Sequence, residues 1–331
     1  MGVRERLTPQ MAAYEEKFAD SGDIRWLPYL MYFHPTNHAS AVVNTDASGF
    51  RYSESQGRRF SVRDNDSRQP ARLLAGSSTV FGIGASSDGW TLSSRLTEHD
   101  ERGLPWLNFG GRSFNSAQEL ILLSLYRHTL PPIEEIVLFS GFNNLGLARL
   151  PSHIRQEHGA FFNCNEFFES LGTNRTKGLL QAGKKLFSGG AREEEPPSLE
   201  QQIAYAADLT LHHLLTWNAI AKDLDAKLTF VLQPLAGWVR PQGSKEEEAL
   251  FAELDQLGRF TEVYGDILNK NACSQYAAAL REGVEKLGAR FINLSPILAE
   301  TLAPEQWLFV DRIHFTDQGH DFVARQLLNI L

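Results

Sequence analysis

The chain has 331 residues, 42% of them hydrophobic and 22% charged, with a formal net charge of -8 at pH 7. This is enough apolar material for one large core or two ordinary ones. The acidic balance, with Lys and Arg scattered along the chain, argues against a large nucleic-acid surface, and two cysteines (Cys164 and Cys273) are too few for a disulfide framework and are read as free thiols.

Residues 1–10 are polar and charged, without the apolar stretch of a secretory signal. Met1-Gly2 opens like a myristoylation site, but Arg6 stands where Ser or Thr is needed. No apolar run reaches the length of a membrane span. The expected address is the cytoplasm of a bacterium. Residues 1–69 hold an aromatic stretch (Trp26, Tyr29, Tyr32, Phe33) and then NTDASGFRYS at 44–53. They are expected to form an arm with short strands, packed on a core domain of residues 70–331.

Five short apolar runs follow: Arg72 to Ala75, Trp106 to Phe109, Ile136 to Phe139, Leu228 to Leu232 and Phe291 to Leu294. Runs bounded by turn residues predict strands buried on both faces. Helical patterns separate them, at 90–96 (with Asp88 as N-cap), 116–126, 198–224, one or two within 246–287, and 319–331. This alternation predicts a parallel α/β sheet with helices on both sides, and a ligand site beyond the carboxyl ends of the strands. Residues 151–197 interrupt the pattern and are expected to be an insertion, with Phe161, Phe162, Phe167 and Phe168 open to use as a lid, an oligomer contact or a small core of their own.

Chemistry concentrates at the predicted strand ends. The first strand runs into Gly76-Ser77-Ser78-Thr79 before a helix. The glycine spacing satisfies neither a dinucleotide fingerprint nor a P-loop, so phosphate binding fails on the residues themselves. A serine there can be a nucleophile; the plainer reading is an ordinary helix-capping serine. Asp311 and His314 are three apart in VDRIHFTDQGH, a spacing that lets the carboxylate fix the imidazole tautomer and leave Nε2 free to take a serine proton. The loop at 106–120 offers backbone amides, and Asn143 in GFNNLG a side-chain amide, to a developing oxyanion. His34 and His38 have metal-like spacing but no third ligand, so no metal is expected. His320 is read as structural or exposed, and His212-His213 as partly core.

In order and content these segments resemble the signature blocks of SGNH/GDSL hydrolases, over roughly residues 70–331. Block I of that family, Gly-Asp-Ser, stands here as Gly76-Ser77-Ser78; block III, Gly-x-Asn-Asp, as Gly141-Phe142-Asn143-Asn144; block V, Asp-x-x-His, as Asp311-Arg312-Ile313-His314. Ser77 and Asn144 depart from the family's Asp, and Ser113 stands where the block II glycine usually does. The stretch Asn44 to Tyr52 also resembles a segment that precedes the catalytic domain in bacterial proteins of this type. The resemblance implies a flavodoxin-like three-layer α/β/α sandwich with a five-stranded parallel sheet and a serine esterase. Its triad would be Ser78, Asp311 and His314, with Ser77 as the alternative nucleophile. Oxyanion donors would come from Ser78, Gly111 (or Gly110), Ser113 and Asn143. Arg112 and Arg51 are open to two readings, binding an anionic or sugar group of the substrate, or an ion pair or backbone anchor, and Phe142 is a further candidate substrate contact. No cofactor is required. The expected partner is a small-molecule or glycan ester. Acyl transfer by the same residues, or a non-catalytic binding role, are the alternatives.

Overall fold

The five apolar runs pair into one sheet of parallel strands: β5 (Ala71–Gly76), β6 (Trp106–Gly110), β7 (Ile133–Ser140), β8 (Lys227–Leu232) and β9 (Arg290–Asn293), in the order β6-β5-β7-β8-β9. The computed structural model describes residues 2–18, 24–150, 152, 155, 157–162, 196–258 and 260–331. Cys164, Phe167, Phe168 and most of the expected insertion lie outside these residues.

The runs are continuous rather than alternating because both faces of the sheet are covered. Successive side chains of a strand point to opposite faces. Leu73 and Ala75 accordingly join Leu107, Phe109, Ile136 and Leu138 in one core, while Leu74 joins Trp106, Val137, Phe139 and Val231 in another. The first core is closed by α5 (Ser116–Tyr126), α7 (Leu199–Asp223) and α11 (Lys270–Lys286), through residues such as Leu122, Trp217 and Tyr276. The second is closed by α4 (Leu92–His99), α9 (Lys245–Gly258) and α13 (Asp317–Leu328), through Leu96, Leu250 and Val323. The architecture is a three-layer α/β/α sandwich.

Two details differ from expectation. Thr91, not Asp88, caps α4, by accepting from the Ser94 amide; Asp88 is buried and engaged elsewhere. Leu294 begins α12 (Leu294–Thr301) instead of ending β9, because Asn293 caps that helix through the Ser295 amide. Upstream of the sheet are α1 (Val3–Leu7), α2 (Met11–Lys17) and two hairpins, β1 (Arg25–Leu27) with β2 (Met31–Phe33), and β3 (Ser53–Ser55) with β4 (Arg58–Phe60). Leu30, Tyr32, Phe33 and Phe50 from this stretch are buried in the first core. No helix among the described residues is long and apolar enough to cross a membrane.

The strand order reverses direction at β5: the chain moves to one side for β6 and to the other for β7. In open α/β sheets the crevice at such a reversal, beyond the carboxyl ends of the strands, is where ligands bind. Residues 76–78 sit there.

Candidate active site

β5 ends at Gly76, where φ is +155° and a Cβ would lie 2.2 Å from the Phe139 carbonyl oxygen. Glycine lets the chain turn sharply against β7 and enter the short helix α3 (Ser78–Phe81). Ser78 is 9% exposed, and its Oγ lies 2.8 Å from His314 Nε2. His314 Nδ1 lies 2.8 Å from Asp311 Oδ2.

Asp311 also builds the loop that holds the histidine. Its Oδ1 accepts from the amides of Ile313 (2.8 Å) and His314 (2.7 Å), and the Val310 amide donates to the His314 carbonyl at 2.9 Å. The three-residue spacing is therefore a tight loop closed on its own aspartate. Burial would raise the Asp311 pKa, but the His314 charge, its ring N–H and the two amides together hold the carboxyl below the usual range. An ionised Asp311 accepts a hydrogen bond from Nδ1–H and so keeps the proton on that nitrogen. Nε2 then carries a lone pair, and the Ser78 hydroxyl donates to it.

Ser77 points elsewhere. Its Oγ–H faces Gln233 Oε1 at 3.4 Å, while Gln233 Nε2 donates to Thr79 Oγ1 at 2.8 Å. Gln233, buried just past β8, thus grips the residues on both sides of Ser78.

In the loop after β6, most amides are already spent. The Gly111 amide donates to the Gly76 carbonyl at 2.9 Å, continuing the β5–β6 ladder past the Gly76–Gly110 pair. The Gly110 amide donates to Asn108 Oδ1 (3.1 Å), that of Arg112 to His34 Nε2 (3.0 Å), and that of Phe114 to the Gly111 carbonyl (3.1 Å). This corrects the expectation for Gly111 and its alternative Gly110: neither has an N–H left for a ligand. Ser113, the block II position, has a φ of +58°, the left-handed conformation a glycine would adopt there. Asn143 Nδ2 donates one hydrogen to the Phe114 carbonyl at 2.7 Å, which ties this loop to the end of β7 and leaves the amide's second hydrogen.

The expected substrate contacts need a second correction. Arg51 is fully buried (0% exposed) and spends its guanidinium inside the protein, on Asp88 (2.9 Å), the Tyr14 hydroxyl (2.9 Å) and the carbonyls of Val42, Phe81 and Gly82. It braces the end of α3 instead of meeting a ligand. Phe142 is buried against Tyr264, so its ring serves packing. Arg112 is also buried, its guanidinium 5.8 Å from the centre of the Tyr32 ring.

Several residues behind the site take their roles from partners distant in the chain. Asp46 is buried and accepts from the amides of Ser48, Gly49, Phe50 and Arg63 and the Ser61 hydroxyl, which makes the 44–53 stretch a turn wrapped around a carboxylate. Asn144 accepts from the Ser116 amide and donates to Ser116 Oγ and Thr210 Oγ1, joining the third block to α5 and α7. Glu119 on α5 is buried with, among the described residues, only the Ser140 hydroxyl against its two oxygens (2.8 and 2.9 Å). Burial pushes its carboxyl up to about 8, despite that hydrogen bond. His320 is buried, its pKa pushed down to about 3 by desolvation, then by the charges of Arg51 and His314. Among the described residues no group of three or more His, Cys, Asp or Glu could hold a metal ion.

No protein-family model matches the chain, and no curated protein does. Solved structures do resemble it. An acetyl xylan esterase, AlAXEase, shares 11% identity over 80% of this chain and 100% of its own, with a TM-score of 0.42. A lipase/acylhydrolase from Enterococcus faecalis shares 11% over 79% and 95%, with a TM-score of 0.43. The chain is likewise similar to a member of the lipolytic G-D-S-L family from Veillonella parvula, at 11% identity over 80% of this chain and 98% of that one, with a TM-score of 0.44.

Proposed function

We propose that the protein is a serine esterase of the SGNH/GDSL type, in which residues 70–331 form the hydrolase domain and residues 1–69 an arm upon it. One observation carries this reading. Ser78 Oγ, the two ring nitrogens of His314 and Asp311 Oδ2 stand in an unbroken line of 2.8 Å contacts at the sheet's reversal point. That is the arrangement in which a hydroxyl can be deprotonated as it attacks.

In this mechanism Ser78 Oγ attacks an ester carbonyl, and its proton passes to His314 Nε2. Asp311 keeps the imidazole in the productive tautomer and stabilises the imidazolium. The tetrahedral oxyanion is met by the amides of Ser78 and Ser113 and the second hydrogen of the Asn143 amide. Collapse expels the alcohol, which takes the proton from His314. Water, activated by the same histidine, then releases the acid and restores the serine. Every proton moves between these side chains and the substrate, so the reaction as drawn calls on no cofactor.

The test is labelling by a fluorophosphonate, read by mass, together with turnover of p-nitrophenyl esters of short and long chains. Wild type should label at Ser78, and Ser78→Ala should lose both label and turnover, the latter by about 10⁴-fold or more. A folded wild type that neither labels nor turns over any ester would refute hydrolysis. A Ser78 that labels but turns over only when an alcohol or amine acceptor is added would mark a transferase.

A further inference from the structure

The turn that follows α3, residues 82–86, joins the chain around Ser78 to the chain around His314. Its near end closes on Ser78 itself, whose carbonyl accepts from the amides of Gly82 (2.9 Å) and Ile83 (3.1 Å). Its middle lies on the histidine loop. Gly84 has φ +98°, and a Cβ there would lie 2.3 Å from the carbonyl oxygen of Phe315, the neighbour of His314, and 3.0 Å from a methyl carbon of Val310. Its far end is pinned by a carboxylate. Asp317 Oδ1 accepts from the Ser86 amide at 2.7 Å, and Oδ2 accepts from the Ser86 hydroxyl. Hydrogen bonds to an ionised oxygen are the stronger kind.

Both partners of this link are fixed from behind. On the turn, Gln10 Nε2 of the arm donates to the Gly84 carbonyl at 2.9 Å, and the Tyr14 hydroxyl of α2 lies within reach of the carbonyls of Gly82 (2.9 Å) and Ala85 (2.6 Å). Asp317 opens α13 directly after Thr316. The Thr316 amide donates to the Leu308 carbonyl at 2.9 Å, and its hydroxyl caps the helix by accepting from the Gly319 amide at 2.9 Å. An acid in the first turn of a helix is also where the helix favours negative charge. The contacts form a closed ring: from Ser78 through the turn to Ser86, across to Asp317, back along the chain to His314, and from its Nε2 to Ser78 Oγ at 2.8 Å.

We propose that Asp317 is a positioning residue of the esterase site: through its two bonds to Ser86 it ties the chain that carries the nucleophile to the chain that carries the base, and so sets the distance between Ser78 Oγ and His314 Nε2. The proposal rests on the esterase reading above. It gives the two acids that flank His314 different tasks. Asp311 acts on the imidazole ring and fixes its tautomer. Asp317 touches neither ring nor substrate and acts on the backbone, as one side of the ring of contacts that the dyad closes. The arm shares in this, since Gln10 and Tyr14 stiffen the turn on which Asp317 pulls.

The experiment compares three variants in the full chain by the rate of fluorophosphonate labelling and by kcat/KM for p-nitrophenyl acetate. Thermal unfolding is the structural control, and rates are taken well below every melting temperature. Asp317→Ala removes both acceptors and should slow both reactions about 10- to 100-fold, the loss that a misplacement of about 1 Å brings. Asp317→Asn keeps the length, offers an oxygen to the Ser86 amide and an N–H to the Ser86 hydroxyl, and should recover most of the rate lost in the alanine variant. Asp317→Glu keeps the charge at the helix end but carries the carboxylate one methylene further, and should stay slow even where it melts higher than the asparagine variant. If the alanine variant fails to fold, the Asn and Glu pair decides. Equal rates for that pair, a Glu variant faster than the Asn variant, or rates that follow melting temperature overturn the proposal, as does an Asp317→Ala enzyme with wild-type rates. An active, Ser78-dependent wild type beside such a variant would sink the positioning role alone; an inert wild type would sink the esterase reading and this proposal with it.

Discussion

Glu119 offers a measurement free of any assumption about substrate. Its carboxyl is buried beneath the end of β7 with the Ser140 hydroxyl against it, and burial pushes its pKa up to about 8, against 4.5 for an ordinary glutamate. A native state that keeps a proton the unfolded chain has released loses stability as pH rises. The contribution is fully present below pH 4.5, declines by about 1.4 kcal/mol per unit above it, and levels off once the native carboxyl ionises near pH 8. Between pH 5 and 7.5 the loss is about 3 kcal/mol. Glu119→Gln keeps the shape and an acceptor for Ser140 but binds no proton in either state. The difference in unfolding free energy, variant minus wild type, should therefore climb by about 3 kcal/mol over that range, since every other titrating group cancels. Urea unfolding followed by tryptophan fluorescence at half-unit steps of pH would measure it. A difference that stays flat would mean that Glu119 is ionised in the native protein and that the burial argument is wrong.

Four further outcomes are expected. Asp311→Asn should lower kcat by about 10⁴-fold while leaving KM nearly unchanged, because it favours the wrong imidazole tautomer; steady-state kinetics would show it. Arg51→Met should cost about 3–5 kcal/mol in chemical unfolding, since Asp88 stays buried with its charge less well matched. Gln233→Ala frees both neighbours of Ser78 and, on the esterase reading, should slow acylation by up to about 10²-fold, measured as the fluorophosphonate labelling rate of the folded variant. His320 is neutral in the fold down to about pH 3, whereas the unfolded chain protonates it near 6.5. Its contribution is complete above pH 6.5 and is lost as pH falls, so His320→Gln should flatten the acid limb of the stability profile by about 1.4 kcal/mol per unit.

The sheet was legible because strands covered on both faces must be apolar throughout, a demand that leaves short continuous runs in any sequence. The serine, aspartate and histidine of the candidate site stood out because the first begins the helix just past a strand and the other two share a loop closed by Asp311 itself. What escaped was set by register and distance. Gly111 was a reasonable donor until the β5–β6 ladder placed its amide on Gly76, which lies far back along the chain. Arg51 carried the charge of a substrate anchor, yet its partners Tyr14, Asp88 and the end of α3 converge only in three dimensions. Asp88 looked like a helix cap because capping is a local pattern; its pairing with Arg51 is not. His34, Asn144, Glu119 and Gln233 likewise draw their meaning from neighbours that no window of the sequence contains.

Ser78 and His314 stand 236 positions apart and meet at 2.8 Å. On a ribosome Ser78 emerges long before His314, and until residue 314 docks it is an ordinary alcohol. Contacts of such separation form late, since the chain must surrender the freedom of a very long loop before they repay it. Activity in this protein would therefore report the assembly of the whole sheet, and a half-made or misfolded chain, however abundant, would be chemically silent.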